Sequence, residues 1–200
     1  MGSGEKRSDT CAVILAGGRS RRMRCNKALL EIGDRPLIET IASLAQPLVD
    51  RIFISANDSS PYLFLGLPVV PDIFPGQGPL AGIHAVMAKA DYTKYLVLAC
   101  DMPYLRAGML RSTIDMCEDC DAVIPQSLDG RIHPLCGSYR RTCLKTIERN
   151  LSLGINKVMA LLEAPSLRIR WLRASESTFR DSDLKNINEI SDLGQSRSQK

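Results

Sequence analysis

The feature that most constrains the fold is a repeated alternation between short apolar runs and longer segments with helical periodicity. The apolar runs cover residues 11–15, 51–55, 67–70, 95–100 and 122–125. The segments with helical periodicity cover residues 36–48, 80–90 and 107–117. Parallel strands are joined by crossovers and buried on both faces, so their apolar runs are continuous. We therefore predict the α/β fold class, with a Rossmann-like, three-layer α/β/α architecture around a mostly parallel sheet.

The second half of the chain continues this alternation less regularly. We expect strands at residues 135–139 and 167–172, and helices at residues 140–151 and 155–162, as extensions of the same sheet. A chain of 200 residues, 44% of them hydrophobic, is long enough to bury one substantial core. We predict a single domain over residues 11–193, preceded by a disordered lead-in at 1–10 and followed by a frayed tail at 194–200.

The charge and composition argue against nucleic acid and membrane partners. The formal net charge of +4 is modest, aromatic residues make up only 5% of the chain, and no basic face repeats along it. No run approaches the ~18 uninterrupted apolar residues that a membrane-spanning helix needs, and the first residues are polar, unlike an export signal. We expect a cytoplasmic protein that handles a small phosphorylated molecule.

The seven cysteines do not indicate a disulfide framework, because their number is odd and they are spread along the chain. Cys117 and Cys120 form one CxxC pair, and Cys136 and Cys143 follow, so a metal or redox site is an alternative. Structural zinc requires a second closely spaced pair or a nearby pair of histidines. The wide spacing of the second pair favours reduced thiols that pack as small apolar groups.

The first candidate site is a basic, glycine-containing segment that follows the predicted strand at residues 11–15. This strand leads directly into Ala16-Gly17-Gly18. The residues that come next include five basic side chains, Arg19, Arg21, Arg22, Arg24 and Lys27. Glycines let the backbone approach a phosphate closely, and the cations supply the charge that a triphosphate demands. The segment has neither the GxxxxGK[ST] nor the GxGxxG pattern, and a solvated basic loop is the alternative.

Two acidic residues follow predicted strands directly. Asp101 comes after the run at residues 95–100, and its carboxylate suits Mg²⁺, which usually takes one or two carboxylates together with substrate phosphates. Asp72 follows Val69-Val70-Pro71, and a fixed carboxylate there can accept both N–H groups of a guanine edge. Each aspartate has a structural alternative: Asp101 as the N-cap of the helix near Ala107, and Asp72 as a capping residue in a Gly/Pro turn.

Several short segments together carry a family resemblance. They are Leu15-Ala16-Gly17-Gly18, Arg22-Met23, Lys27, Ser55-Ala56-Asn57, Pro71-Asp72, Gly78-Pro79-Leu80-Ala81-Gly82, Cys100-Asp101-Met102-Pro103, His133-Pro134-Leu135 and Asn186-Ile187-Asn188. In order and approximate spacing these segments resemble the molybdenum cofactor guanylyltransferases, over nearly the whole chain. The first segment and the strand-end aspartate are shared by many nucleotidyltransferases, whereas the Gly-Pro-Leu-Ala-Gly, His-Pro and Asn-x-Asn segments narrow the resemblance to this family.

The resemblance implies a nucleotidyltransferase fold and the transfer of GMP from GTP to molybdopterin carrying molybdenum, with Mg²⁺ as cofactor. The products would be molybdopterin guanine dinucleotide and pyrophosphate. It also implies partner proteins that insert molybdenum and mature molybdoenzymes. The implied nucleotide contacts are Leu15, Ala16, Gly17, Gly18, Lys27, Asn57, Asp72 and Asp101. The implied catalytic residues are Arg22, Lys27 and Asp101, the last of which would also bind the metal. The implied second-substrate residues are His133, Asn186 and Asn188.

The sequence departs from the family pattern in three places, the third of which is a dipeptide. Arg24 stands where the family usually has Gly, Asn26 where it often has Asp, and Glu189-Ile190 where Thr-Pro commonly follows. His133 also fits a structural role in a His-Pro loop, and His84 is expected to be packed or solvated, since neither histidine lies beside a nucleophile in the sequence.

Other functions stay open at this point. A cytidylyltransferase for molybdopterin or a sugar-phosphate nucleotidyltransferase would share the fold, and Asp72 discriminates because cytosine presents one amino donor beside acceptors. A nucleotide-binding module without catalysis is a rival from another class. The presence of Asp101 and Lys27 argues against it, because binding without turnover needs no metal at the α-phosphate.

Overall fold

The computed structural model describes residues 9–17, 26–174 and 179–187. Its strands are β1 (Thr10–Leu15), β2 (Glu31–Ile32), β3 (Arg35–Pro36), β4 (Arg51–Ser55), β5 (Val69–Val70), β6 (Lys94–Ala99), β7 (Ala122–Gln126), β8 (Ser138–Arg140) and β9 (Ile169–Arg173). Its α-helices are α1 (Leu37–Ala45), α2 (Gly78–Lys89), α3 (Ala107–Asp115), α4 (Leu144–Ser152) and α5 (Val158–Leu162). Gly18, Arg22, Arg24, Asn188 and Glu189-Ile190 lie outside the described residues.

The central sheet has seven strands in the order β5-β4-β1-β6-β8-β7-β9. Neighbouring strands are parallel throughout the first four, and β7 and β9 are also parallel. Only β8 among the described strands of this sheet runs antiparallel to its neighbours. The mostly parallel α/β sheet predicted from the sequence is confirmed.

Both faces of the sheet are buried, as a parallel sheet requires. Alternate residues of β1 point to opposite sides: Ala12 and Ile14 pack into one cluster with α1 and α3, whereas Val13 and Leu15 pack into another with α2, α4 and α5. The three-layer architecture follows from these two cores. No helix in the described part of the chain combines the length and apolarity needed to span a bilayer.

A glycine sets the distance between α2 and the sheet. A Cβ atom on Gly82 would collide with Ser55 Oγ of β4 and lie 3.0 Å from Leu15 Cδ2 of β1. Only the absence of a side chain lets α2 approach these two strands so closely. The glycine therefore fixes the helix against the strands whose ends carry the candidate site residues.

The second half differs from expectation at residues 135–139. Pro134–Cys136 form a turn of 3₁₀ helix, and the strand that follows, β8, is short and inserted between β6 and β7. Gly137 makes this insertion possible, because a Cβ atom there would lie 2.6 Å from the Val123 carbonyl oxygen of β7. The expected strand at 167–172 is present as β9 at the edge of the sheet.

Candidate active site

The parallel strands bring four predicted site residues together at the carboxyl ends of the strands. Ala16 follows β1, Asn57 follows β4, Asp72 follows β5 and Asp101 follows β6, so all four lie beyond the carboxyl ends of neighbouring strands. Ligands of open α/β sheets bind beyond the carboxyl ends of the strands. With Lys27, which begins a 3₁₀ turn at Lys27–Leu29, these residues form what we call the strand-end cluster.

The described part of the glycine segment is bound tightly to β4. The Ala16 and Gly17 N–H groups both donate to the Ser55 carbonyl oxygen, at 3.1 and 3.0 Å. These two amide groups are therefore already engaged within the protein. Contact between a ligand and the Ala16 and Gly17 backbone would use carbonyl oxygens or close apolar approach, rather than these two N–H groups.

Asn57 and Asp72 form a reciprocal pair across the ends of β4 and β5. Asn57 Nδ2 donates to Asp72 Oδ2 at 3.0 Å, and the Asp72 N–H donates to Asn57 Oδ1 at 2.9 Å. The pair orients the Asp72 carboxylate and leaves its second oxygen able to accept from a ligand. Asp72 does not cap α2, since Gln77 occupies the N-cap position without a side-chain hydrogen bond.

Asp101 and Lys27 lie near each other beside the last described residues of the chain. Lys27 Nζ donates to the Ile187 carbonyl oxygen at 3.1 Å, and the Ile187 N–H donates to the Asp101 carbonyl oxygen at 2.8 Å. Burial raises the pKa of the Asp101 carboxyl, and the Lys27 charge opposes that rise. Asp101 is not a helix cap either, because Arg106 holds the N-cap position of α3.

The surroundings of Asp101 fit a hard divalent cation that arrives with a ligand. Its carboxylate is half-buried. The described residues contain no cluster of three or more His, Cys, Asp or Glu side chains that could hold a metal. Mg²⁺ is commonly bound through one or two carboxylates, with phosphates and water completing its shell. A single strand-end aspartate therefore suits Mg²⁺ better than a metal held by the protein alone.

Tyr62 contacts residues of the candidate site but was not predicted from the sequence. It lies in a 3₁₀ helix at Ser60–Leu65, between β4 and β5, and is 3% exposed. Its hydroxyl donates to the Ala16 carbonyl oxygen and accepts from Asn26 Nδ2, both at 2.9 Å. Asn26 also accepts the Ala28 N–H at 3.1 Å. An aspartate at position 26 could not donate to Tyr62, which gives this departure from the family pattern a physical meaning.

A groove of about 1190 Å³ lies next to Asp101 and is lined by the following residue, Met102. His133 and Asn186, both predicted second-substrate residues, line it, as does Ile187. It is also lined by four basic side chains, Arg106, Arg131, Arg180 and Lys185, and by three aspartates, Asp129, Asp181 and Asp183. The groove therefore combines polar and charged side chains from three separate parts of the chain, with basic groups in slight excess.

Two aspartates hold the walls of this groove together. Asp181 accepts the Leu128 N–H at 3.0 Å, and the buried Asp183 accepts the Arg180 N–H at 3.0 Å. Arg106 Nε lies 3.1 Å from Asp183 Oδ2, which ties α3 to the same segment. The contacts from Leu128 to Asp181 and from Arg106 to Asp183 could not be predicted from the sequence, because they join residues far apart in the chain.

The two histidines have different surroundings. His133 lies 3.3 Å from Ser127 Oγ at the groove, and burial, followed by the Arg131 charge, lowers the pKa of its imidazole. His84 is buried in α2 against Phe74, and neither of its ring nitrogens has a hydrogen-bond partner in the described structure. The packed alternative for His84 is the one the structure supports.

The described cysteines are free and buried, as expected. Burial raises the pKa of the Cys117 thiol to about 12, which keeps it protonated and unreactive at neutral pH. The CxxC pair therefore packs as apolar side chains at the end of α3.

Comparisons with known proteins agree with this geometry. The family model of the MobA-like NTP transferase domain matches residues 12–169. The chain is 37% identical over 181 residues to a "Probable molybdenum cofactor guanylyltransferase" of Carboxydothermus hydrogenoformans, covering 90% of this chain and 91% of that protein. It is 37% identical over 190 residues to a protein of the same name in Pelotomaculum thermopropionicum, covering 92% of this chain and 90% of that protein.

A solved structure shares the fold over nearly its full length. The crystal structure of molybdopterin-guanine dinucleotide biosynthesis protein A from Archaeoglobus fulgidus superposes with a TM-score of 0.77 at 25% identity, covering 93% of this chain and 96% of that one. Together with the family match over residues 12–169, this similarity leads to one conclusion. The chain belongs to the family of proteins with a MobA-like NTP transferase domain.

Proposed function

We propose that this protein transfers GMP from GTP to the terminal phosphate of molybdopterin carrying molybdenum. Relatives that align over nine-tenths of the chain bear the name molybdenum cofactor guanylyltransferase. The reaction joins two anionic substrates, and the protein offers two adjoining binding regions, the strand-end cluster and the basic groove. The products are molybdopterin guanine dinucleotide and pyrophosphate.

The observation that carries the proposal is the position of Asp101 between the two regions. Its carboxyl group follows β6, beside the strand ends that present Asn57 and Asp72. Its backbone carbonyl binds Ile187, which lines the groove. A phosphate bound at Asp101 would therefore lie close to a second substrate in the groove.

The chain needs no nucleophilic side chain for this reaction. An oxygen of the molybdopterin phosphate attacks the α-phosphorus of GTP, and the bond from that phosphorus to the bridging oxygen breaks as pyrophosphate leaves. Such transfers are accelerated mainly by positioning and by neutralising charge. In this proposal Lys27 and Arg22 bind the phosphates. Bound Mg²⁺, held by Asp101, would supply further positive charge at the phosphate oxygens.

Base selection is assigned to Asp72. One of its oxygens is occupied by Asn57, and the other can accept from the N1–H and amino groups of guanine. Leu15, Ala16, Gly17 and Gly18 would form the backbone surface under the nucleotide. Cytosine lacks the adjacent pair of donors, so the same carboxylate would bind CTP less well.

The groove is assigned to the pterin substrate. His133, Asn186 and Asn188 would contact the pterin, and the basic side chains that line the groove would attract its phosphate. We place the reaction in the cytoplasm, between proteins that insert molybdenum and proteins that mature molybdoenzymes.

A product assay tests this proposal directly. Purified protein is mixed with Mg²⁺, molybdopterin carrying molybdenum, and GTP or CTP, and the dinucleotide product is identified by mass spectrometry. We expect the guanine dinucleotide and one equivalent of pyrophosphate. Formation of the cytosine dinucleotide instead would assign the cytidylyl reaction, and nucleotide binding without product would leave a non-catalytic module.

A further inference from the structure

The hydroxyl of Tyr62 connects the two described ends of the basic, glycine-containing segment that follows β1. One of its partners, Ala16, directly follows β1, and the other, Asn26, directly precedes Lys27. Asn26 in turn accepts the Ala28 N–H and so begins the short helix that carries Lys27. A single side-chain oxygen thus connects the backbone that follows β1 to the short helix that carries Lys27.

The chemistry of the three groups fixes the direction of both hydrogen bonds. The Ala16 carbonyl oxygen can only accept, and the Asn26 amide nitrogen can only donate. The Tyr62 proton must therefore point at Ala16, while a lone pair of the hydroxyl receives Asn26. Burial raises the pKa of the Tyr62 hydroxyl, so the proton that this arrangement needs stays in place at neutral pH.

We propose that Tyr62 is a positioning residue for the nucleotide, which sets the Ala16 backbone and Lys27 at a fixed separation. This role rests on the proposed function, because it assumes that both ends contact the same nucleotide. Tyr62 itself is not required to touch the ligand. Its hydroxyl acts through Ala16 on the backbone surface and through Asn26 on Lys27.

The chain contains a matched control for a purely structural role. Tyr95 is also buried, and its hydroxyl donates to the Ala90 carbonyl oxygen at 2.6 Å and accepts from Arg141 Nη1 at 2.8 Å and from the Tyr92 N–H at 3.2 Å. Like the Tyr62 hydroxyl, it donates to a backbone carbonyl oxygen and accepts from a side-chain N–H group. Tyr95 lies near the amino end of β6, whereas the strand-end cluster lies beyond the carboxyl ends of the strands.

The experiment compares Tyr62→Phe with Tyr95→Phe by calorimetric titration with GTP and Mg²⁺ and by thermal unfolding. We expect Tyr95→Phe to lose at least as much stability as Tyr62→Phe, and Tyr62→Phe alone to weaken GTP binding by about tenfold, the effect of losing one or two hydrogen bonds. In turnover, the KM for GTP should rise by the same factor while kcat stays within about twofold, as for lost uniform binding.

A double-mutant cycle tests the path through Asn26. If Tyr62 and Asn26 act as one unit, the loss of GTP affinity in the double variant Tyr62→Phe/Asn26→Ala is smaller than the sum of the two single losses. Hydrogen exchange without nucleotide adds an independent measurement. The Ala28 amide should exchange faster in Tyr62→Phe and at the normal rate in Tyr95→Phe.

The outcomes separate this role from the proposed function. Unchanged GTP affinity in Tyr62→Phe, or an equal loss in Tyr95→Phe, overturns the positioning role while guanylyl transfer stands. If the unmodified protein binds no nucleoside triphosphate, both the positioning role of Tyr62 and guanylyl transfer are refuted, even if hydrogen exchange at the Ala28 amide changes as expected.

Discussion

The strand-end cluster and the groove are built in different ways. In the strand-end cluster, Asn57, Asp72 and Asp101 each lie two residues beyond the end of a strand. Hydrogen bonds between adjacent strand ends fix the backbone there, as in the pair of bonds from Ala16 and Gly17 to Ser55. The groove is assembled from loop segments far apart in sequence, joined by contacts such as Leu128 to Asp181 and Arg106 to Asp183.

This difference suggests a division of labour. Strand ends in a buried parallel sheet can move little, so they suit the precise placement of phosphates and a metal. Loops joined by a few polar contacts can be replaced without disturbing the sheet, so they suit recognition of the second substrate. Changes in the strand-end cluster should therefore reduce catalysis strongly, and changes in the groove should act mainly on the KM of the second substrate.

The largest effect is expected from Asp101→Asn, which removes the charge that would hold Mg²⁺ and keeps the size of the side chain. We predict a fall in kcat of about a thousandfold, because a bound cation contributes several kcal/mol to the stabilisation of transition-state charge. The exposed Asp115→Asn, at the end of α3, is the control and should retain full activity. Loss of less than tenfold in Asp101→Asn would contradict the assignment of this carboxylate.

A smaller effect is expected from Asp72→Asn. The variant can keep the hydrogen bonds to Asn57 with its remaining oxygen, but its second oxygen becomes an NH2 group that cannot accept from guanine. The preference for GTP over CTP should therefore fall by about ten- to a hundredfold, the range for hydrogen bonds to charged groups. The ratio of kcat/KM for the two nucleotides measures this preference. Asp58→Asn, a change of the exposed aspartate that follows Asn57, should leave the ratio unchanged. An unaltered ratio in Asp72→Asn would remove Asp72 from base selection.

The variant Arg106→Gln tests whether the groove binds the second substrate. It breaks the contact with Asp183, so the KM for molybdopterin should rise about fivefold while the KM for GTP stays constant. Arg106 is 62% exposed, so solvent screening limits the loss in the free energy of unfolding to about 1 kcal/mol. Steady-state kinetics for both substrates, together with urea unfolding, measure these effects. A fall in kcat with both KM values unchanged would refute the division of labour.

The smallest effect on activity is expected from His84→Leu, away from both regions. Burial lowers the pKa of His84 in the folded state, although Glu148 opposes this shift. The unfolded state therefore binds more protons as the pH falls, and the stability that neutral His84 provides above its unfolded pKa of 6.5 is lost towards lower pH. The melting temperature of His84→Leu should consequently fall less between pH 7 and about 5. Identical pH profiles would show that His84 does not titrate in this way.

The strand-end residues could be predicted from the sequence because their signal is local. Asp72, Asp101 and Asn57 each follow an apolar run of strand length, and parallel strands necessarily bring their carboxyl ends together. The direction of β8 could not be predicted, because a short antiparallel strand has the same apolar pattern as a parallel one.

Tyr62 and the groove could not be predicted for a different reason. The hydrogen bond from Tyr62 to Ala16 spans 46 positions, and that from Lys27 to Ile187 spans 160. Contacts at such separations are set by the packing of the whole domain and leave no local pattern. Residues 181–187 were predicted to lie within the domain, with Asn186 at the second substrate, but no local pattern showed that this segment closes the groove.

The most direct test of guanylyl transfer is calorimetric titration of the unmodified protein with GTP, CTP, ATP and UTP in the presence of Mg²⁺, repeated with GTP on Asp101→Asn. We expect GTP to bind selectively and its binding to weaken in the variant, because Asp72 would select the base and Asp101 would hold the metal. Selective binding of CTP, or GTP affinity that is unchanged in Asp101→Asn, would contradict the proposed function.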